Sequence, residues 1–432
     1  MSVAHPNIAT NAPIRRAAHG EQVFPRSLLS LGDVFCFLAP ALQFLQIQAV
    51  GTLLATDLAL LAALPVALLR HSDRLKQKPV PTILALGTLW LVAQIVTDLV
   101  QHSAPEDYLR GWLRIALILV SFIVVWTVVC TSLVRFVLFG LGVTLGGLAT
   151  LYVQPSDQML DSPWKFGLSS PITALVVTGV AFAGRRYLRI VVPLVLLTVV
   201  HSYANTRSLA LICLLTAAYS VFQMSMAGKR RRMGGGRIAL LAGTAAICIF
   251  GFTTLYSYYA EQGVFGVYAQ QKLEAQSGQG GLLLGGRSEI LASGQAILDS
   301  PFLGHGSWAR DPAYAAILEE NRAALGYKVF QGGKKDDLIP THSHIFGSWV
   351  EAGLAGAIFW LYVFFYAIRS LMKVSGQEPL LPLFAYTGFV FLWDVFFSPI
   401  SAERRFVTPY YIAAMILLRL LRDPQPAGLE EK

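Results

Sequence analysis

Apolar runs of about 20 residues recur along this chain from Leu29 onward, each long enough to cross a hydrocarbon core roughly 30 Å thick. The pattern predicts about twelve spans, near 29–48, 50–70, 80–100, 111–129, 133–152, 168–184, 189–205, 208–227, 238–258, 344–368, 380–397 and 408–421. Most connections between them are short. One is long, running from about Ala260 to Thr341. A structureless loop of that length is uncommon, so this segment is expected to hold structure of its own. Its opening, "EAQSGQGGLLLGGR", is rich in glycine (Gly278, Gly280, Gly281, Gly285, Gly286) and is expected to move. In "SEILASGQAILDS" the apolar Ile290, Leu291, Ile297 and Leu298 recur at helical spacing. "SPFLGHGSW" reads as a turn, and "DPAYAAILEENRAALGY" as a second helix with Asp311 as N-cap and Pro312 at its first position. No internal repeat is visible, which argues against an inverted-repeat transporter. The predicted fold class is an all-α polytopic membrane protein, with one large, partly helical loop between spans 9 and 10.

Composition agrees. Apolar residues make up 55% of the chain and charged residues 14%, with mean hydropathy +0.56; soluble domains carry roughly 25% charged residues. The basic residues give orientation. They concentrate in alternate connections: Arg15, Arg16 and Arg26; Arg70 to Lys78; Arg185, Arg186 and Arg189; "GKRRRMGGGR"; Arg369 and Lys373; Arg419 and Arg422. The positive-inside tendency therefore places these loops and both termini in the cytoplasm, and the long loop on the opposite, outer side. The expected organisation is a cytoplasmic tail over 1–28, nine spans over 29–258, the outer loop over 259–341, three spans over 342–421 and a tail over 422–432. The first apolar run is too long for a signal-peptide core. The net charge of +9 then reports topology, and no nucleic-acid partner is expected. Cys36, Cys130, Cys213 and Cys248 all fall within apolar runs and read as small core residues, not as a disulfide frame or metal site.

The groups able to do chemistry collect on the outer side: Arg207, Arg287, His305, His342, His344, Arg404 and Arg405. Few arginines are expected there, and an anionic substrate is a natural reason for them, since the guanidinium fork binds phosphate oxygens in pairs. Each also has a plainer reading. Arg207 either binds substrate or snorkels to the interface. Arg404 and Arg405 bind substrate or lipid headgroups. His305, between two glycines, is a turn residue or a contact. Arg110 and Arg114 anchor a span or reach substrate, and Lys334, Lys335, Asp336 and Asp337 read as a solvated loop. Ionisable groups inside spans, namely Asp57, Asp98, His201 and Asp394, are candidates because they are costly there; a hydrogen-bonded structural role suits His201 equally. His342 and His344 follow Pro340, with Thr341 or Ser343 able to cap the next helix. A neutral imidazole there can take a proton from a hydroxyl. Positions two apart on a helix diverge by about 200°, so one histidine faces a site and the other packs. Neither HExxH nor a third ligand at motif spacing supports zinc, and no P-loop is present.

In its register, this outer segment resembles the O-antigen ligase and polymerase superfamily of membrane glycosyltransferases. The family's loop exit has a histidine, a glutamate nine residues later, a glycine two beyond and another three further on. His342, Glu351, Gly353 and Gly356 fit that register, and His344 does not; Ser343 stands where the family usually has asparagine. "NTRSLAL" is similar to the family segment that carries an arginine at a span's outer start, here Arg207. "GGRSEILASGQAILDSPFLGHG" is similar to its loop pattern and aligns Arg287 and Ser300-Pro301, although the tryptophan usual after that arginine is replaced by Ile290 or a neighbour. The matched motifs run from Asn205 to Gly356, and the rest of the chain matches in topology alone.

The resemblance, closest to O-antigen ligase, implies an inverting, metal-independent transfer without cofactor, at the periplasmic face of a bacterial inner membrane. The donor would be O-antigen glycan on undecaprenyl diphosphate and the acceptor lipid A-core oligosaccharide. Arg207 and Arg287 would hold the diphosphate and His342 would be the general base. His344, His305, Arg404 and Arg405 are expected beside the substrates. An O-antigen polymerase and a protein O-oligosaccharyltransferase share these motifs. A secondary transporter or flippase of an anionic lipid is the rival from another class, and it would need charged or broken helices near mid-membrane.

Overall fold

A computed structural model of the chain describes residues 30–184, 186–227, 235–277, 285–327, 337–374 and 376–422. The predicted tails, the glycines at 278, 280 and 281, and Lys334 to Asp336 lie outside the described residues. Helix α1 (Leu31–Ala41) begins on Ser30, whose hydroxyl accepts from the Asp33 amide. A short hairpin follows, β1 (Gln46–Ala49) paired antiparallel with β2 (Gly51–Leu54). The bundle then continues through α2 (Ala55–Leu75), α3 (Val80–Val100), α4 (Pro105–Val124), α5 (Leu133–Val153), the single-turn α6 (Asp157–Asp161), α7 (Ser169–Phe182), α8 (Tyr187–Tyr203), α9 (Arg207–Ser225) and α10 (Gly235–Glu261). The long loop holds α11 (Val267–Gln276), α12 (Glu289–Asp299) and α13 (Pro312–Ala324). The chain returns through α14 (His344–Ala352), α15 (Leu354–Met372), α16 (Leu381–Phe397) and α17 (Arg404–Arg422).

Among the described residues eight helices are long and apolar enough to cross a membrane, and α1, α8 and α16 are shorter apolar helices. The arrangement is compatible with an all-α, multi-pass membrane protein. Exposed apolar side chains such as Leu69, Ile247 and Phe250 suit a hydrocarbon surround, where helices satisfy their own backbone. Helix α17 has four arginines, at its two ends. Its middle, Ala413 to Leu418, is at most 2% exposed, because it packs against α4, α15 and α16 in the centre of the bundle. Ring stacking fills that centre: Phe136 lies 4.9 Å from Phe384 and 5.0 Å from Tyr410.

Two predicted spans are corrected. The run 29–48 is not one helix. "QIQA" alternates polar and apolar residues, which favours a strand, and Gly51, at φ +77°, supplies the left-handed turn that closes the hairpin. The run 344–368 is broken into α14 and α15 at Gly353 (φ +64°, ψ −156°). That conformation is nearly confined to glycine. A β-carbon there would also lie 2.0 Å from the Phe302 carbonyl oxygen. His342 therefore precedes a short helix leaning on the loop, and not a long transmembrane helix.

The loop helices form as expected. Asp311 caps α13, its carboxylate accepting from the Ala313 amide at 2.9 Å. The turn between α12 and α13 is wedged between α3 and α14. Asp98, near the end of α3, accepts from the Ser307 amide (2.6 Å), the Ser307 hydroxyl (2.8 Å) and the Trp112 indole (2.8 Å). Thr97 donates to the Leu303 carbonyl at 2.5 Å. On the other side the His305 and Gly306 amides donate to the Val350 and Glu351 carbonyls of α14.

Gly353→Ala should therefore lower stability by about 3 kcal/mol, the upper range for a forced backbone outlier. Gly347→Ala, whose new methyl would meet Thr341 Oγ1 at an ordinary 3.5 Å, should match or slightly exceed the parent. Thermal unfolding in detergent compares them; equal loss in both would remove the assigned role of the bend.

Candidate functional site

A cavity of about 990 Å³ lies between the helices. Its walls combine small and apolar side chains, among them Gly140, Val143 and Gly147 of α5 and Leu383 and Val390 of α16, with polar ones such as Thr144, Thr387 and Glu403. At its loop end it is lined by Lys165, Arg207, Lys272 and Arg287. Arg207 opens α9, just past a tight bend in which Asn205 has φ +57°. His201 fixes that bend: its ring is buried and bonds Thr173 Oγ1 at 2.7 Å and Thr206 Oγ1 at 2.9 Å. This is the structural role. The Arg207 guanidinium donates to Gln276 Oε1 at 2.5 Å and sits 5.5 Å from the Tyr256 ring centre; Tyr256 in turn donates to Asn205 Oδ1 at 3.0 Å.

Among the described residues, no carboxylate forms an ion pair with any of these four cations. The buried Arg287 Nε has no partner there. Their mutual repulsion is legible in Lys272, whose ammonium is pushed down to about 8 by burial and then by Lys165, Arg207 and Arg287. Four positive groups around an open volume favour a multiply charged anion.

The remaining predicted residues divide. Arg404, the first residue of α17, also lines this cavity, but it is paired with Asp394 of α16. Arg405 points elsewhere. It is buried and donates to Asp57 Oδ2 at 2.5 Å and to the Thr52 carbonyl at 2.7 Å, tying α17 to the hairpin. His305 Nε2 lies 2.8 Å from the Ala296 carbonyl, with its ring edge-on to Tyr314. His344 is fully buried, with Nδ1 2.5 Å from the Ser398 carbonyl and its ring against Trp360. Arg405, His305 and His344, expected beside substrate, each bond to protein groups here.

His342 stands apart from His344. It is exposed and lines a second cavity of about 410 Å³ with Arg114, Glu289, Trp308, Thr341 and Glu351. Ser343 sets its position: its hydroxyl accepts from the Phe346 amide at 3.1 Å, capping α14, and donates to the Val395 carbonyl at 2.9 Å. Burial holds the His342 imidazole below its ordinary value; Glu289 works against that and Arg287 with it. Arg114 is ion-paired with Glu351 and lies 4.6 Å from the Trp308 ring centre. The two cavities adjoin along one short segment: Arg287 lines the larger one and Glu289, two residues on at the start of α12, the smaller.

Sequence reasoning missed Lys165, Lys272, Glu289 and Trp308. The lysines had a usable signal, since both are cations on the side where few are expected. Glu289 and Trp308 had none, because only the folded loop brings them to His342.

Inorganic pyrophosphate should stabilise the protein by about 2.7 kcal/mol at one hundred times its dissociation constant. The shift should shrink from pH 7 to pH 9, because Lys272 loses its proton near 8 and the neutral amine no longer attracts the anion. Lys272→Arg should keep the shift at pH 9, and Arg207→Ala should reduce it at both. Thermal unfolding reads all three; an undiminished shift in Arg207→Ala would locate the anion elsewhere. No family model and no curated protein matches this chain, so its function is read from this geometry.

Proposed function

We propose that the protein is a membrane glycosyltransferase of the O-antigen ligase type, moving glycan from undecaprenyl diphosphate to a hydroxyl of lipid A-core oligosaccharide. One observation carries the reading: four cations that form no ion pair among the described residues line one part of a cavity whose walls also carry apolar helix faces, and His342 lines the adjoining cavity. A polyprenyl diphosphate has the matching shape, an apolar tail and a doubly phosphorylated head.

In the proposed reaction the acceptor hydroxyl oxygen attacks the anomeric carbon and a new C–O bond forms. The bond from that carbon to the diphosphate oxygen breaks, its electron pair leaving with the diphosphate. His342 takes the hydroxyl proton. A single displacement inverts the anomeric centre. Arg207 and Arg287, with Lys165 and Lys272, stabilise the charge that grows on the diphosphate. Partial burial lowers the proton affinity of the imidazole, and Glu289 opposes that. The donor holds the free energy of transfer, so no nucleotide is consumed. In this reading the chain spans the inner membrane twelve times with both termini cytoplasmic, and the loop side is periplasmic, where α12 and α13 cover the site.

Purified protein in nanodiscs, supplied with polyprenyl diphosphate-linked glycan and lipid A-core oligosaccharide, should yield a ladder of glycans on the lipid A-core. Longer polyprenyl-linked chains instead would identify a polymerase, and no transfer would sink the proposal. His342→Ala should lower kcat by about 10²–10⁴, the usual worth of a general base, with unfolding unchanged, whereas His344→Ala should unfold more easily. The acid limb of kcat/KM should lie below the ordinary histidine value of 6.5, because burial resists protonation; a limb at or above 6.5 would remove His342 as the base.

A further inference from the structure

The smaller cavity differs from the larger in charge, and that difference gives it a separate task. Arg114 is cancelled by Glu351, and the Glu289 carboxylate has no opposite charge bonded to it among the described residues. Its Oε2 is out of contact with solvent and accepts no hydrogen bond. A shielded carboxylate oxygen without a donor is an uncommon vacancy. Phosphate would be repelled here and drawn to the four cations next door. A hydroxyl would be welcome, since it can donate.

The second observation is Trp308. Its φ is +49°, a conformation that bulky side chains rarely adopt and that persists only where the surroundings impose it. The constraint is visible: Ser307, immediately before it, is bonded to Asp98 through both its amide and its hydroxyl. The indole is thereby held in the cavity wall, backed by the Arg114 guanidinium. Pro399 and Ile400 add apolar surface. A rigid ring, a free carboxylate oxygen and about 410 Å³ of space fall within the range of small-molecule sites.

We propose that this cavity is the acceptor subsite, taking an uncharged sugar ring against Trp308 with a hydroxyl donated to Glu289. The proposal rests on the transferase reading and deepens it. The donor head sits on the Arg287 side of the adjoining segment, the acceptor sugar on the Glu289 side, and His342 lines the acceptor side, where the hydroxyl proton must leave.

The test uses the full-length protein in nanodiscs, with deacylated core oligosaccharide as the probe, measured both by direct titration without donor and as acceptor in transfer. Glu289→Gln and Trp308→Ala should each raise the acceptor KM about tenfold, the loss of roughly one good contact, with donor KM within about twofold. Trp308→Phe should recover most of the loss; it and the isosteric Glu289→Gln guard against a folding defect in Trp308→Ala. Transfer by the parent with unchanged acceptor KM in Glu289→Gln and Trp308→Ala overturns the subsite and leaves the transferase reading standing. A rise in donor KM instead also overturns it. Trp308-dependent saccharide binding without any transfer overturns the transferase reading and supports the subsite. Neither binding nor transfer overturns both.

Discussion

The Asp98 carboxylate is the point on which the loop side of the molecule turns. It lies near the end of a helix apolar enough to cross a membrane, and it is 2% exposed. A buried carboxylate is costly unless its lone pairs are filled. Asp98 fills them with donors from Ser103, Trp112 and both polar groups of Ser307. In doing so it fastens the turn after α12 to α3 and, through α14, fixes where the chain bends at Gly353. Trp308 and His342 take their places from that fastening. The first follows Ser307 directly, and the second precedes a helix whose carbonyls accept from the same turn.

Elsewhere, charges at helix ends are matched. Arg405 meets Asp57, Arg404 meets Asp394, and Arg114 meets Glu351. Breaking any such buried pair would strand a charge in a poorly solvated place, so these pairs act as ties between helices. Lys165, Arg207, Lys272 and Arg287, by contrast, form no ion pair among the described residues. Like charges close together repel; the Arg207 guanidinium is met by Gln276 and Tyr256, and Glu289 favours the charge on Arg287. A bound anion would offset that repulsion.

Hydropathy made the bundle legible, because hydrocarbon thickness sets the length of an apolar helix. Apolar spacing made α12 legible and a cap made α13 legible, since Asp311-Pro312 acts on its own helix and needs no distant partner. What pairing decides was not legible. Arg404 and Arg405 are neighbours in sequence, yet one faces the cavity and the other is tied to Thr52 and Asp57. His344 fell outside the register of His342, but nothing local showed that Ser398 and Trp360 would enclose it. The break at Gly353 hid inside an apolar run because its cause, the Phe302 carbonyl, lies in another segment.

The split between two cavities bears on how a transfer could run forward. In the proposed reaction the leaving diphosphate gains charge among four cations, while His342 gains a proton beside Glu289. Each product of charge separation thus appears where an opposite field already exists, so little has to reorganise as the bonds change. Had both cavities been cationic, protonated His342 would be repelled by its surroundings. Had both been acidic, the diphosphate would not stay. Glu289 raises the His342 proton affinity while burial and Arg287 lower it. That balance leaves an imidazole able to accept a proton in the reaction and, being exposed, to return it to water.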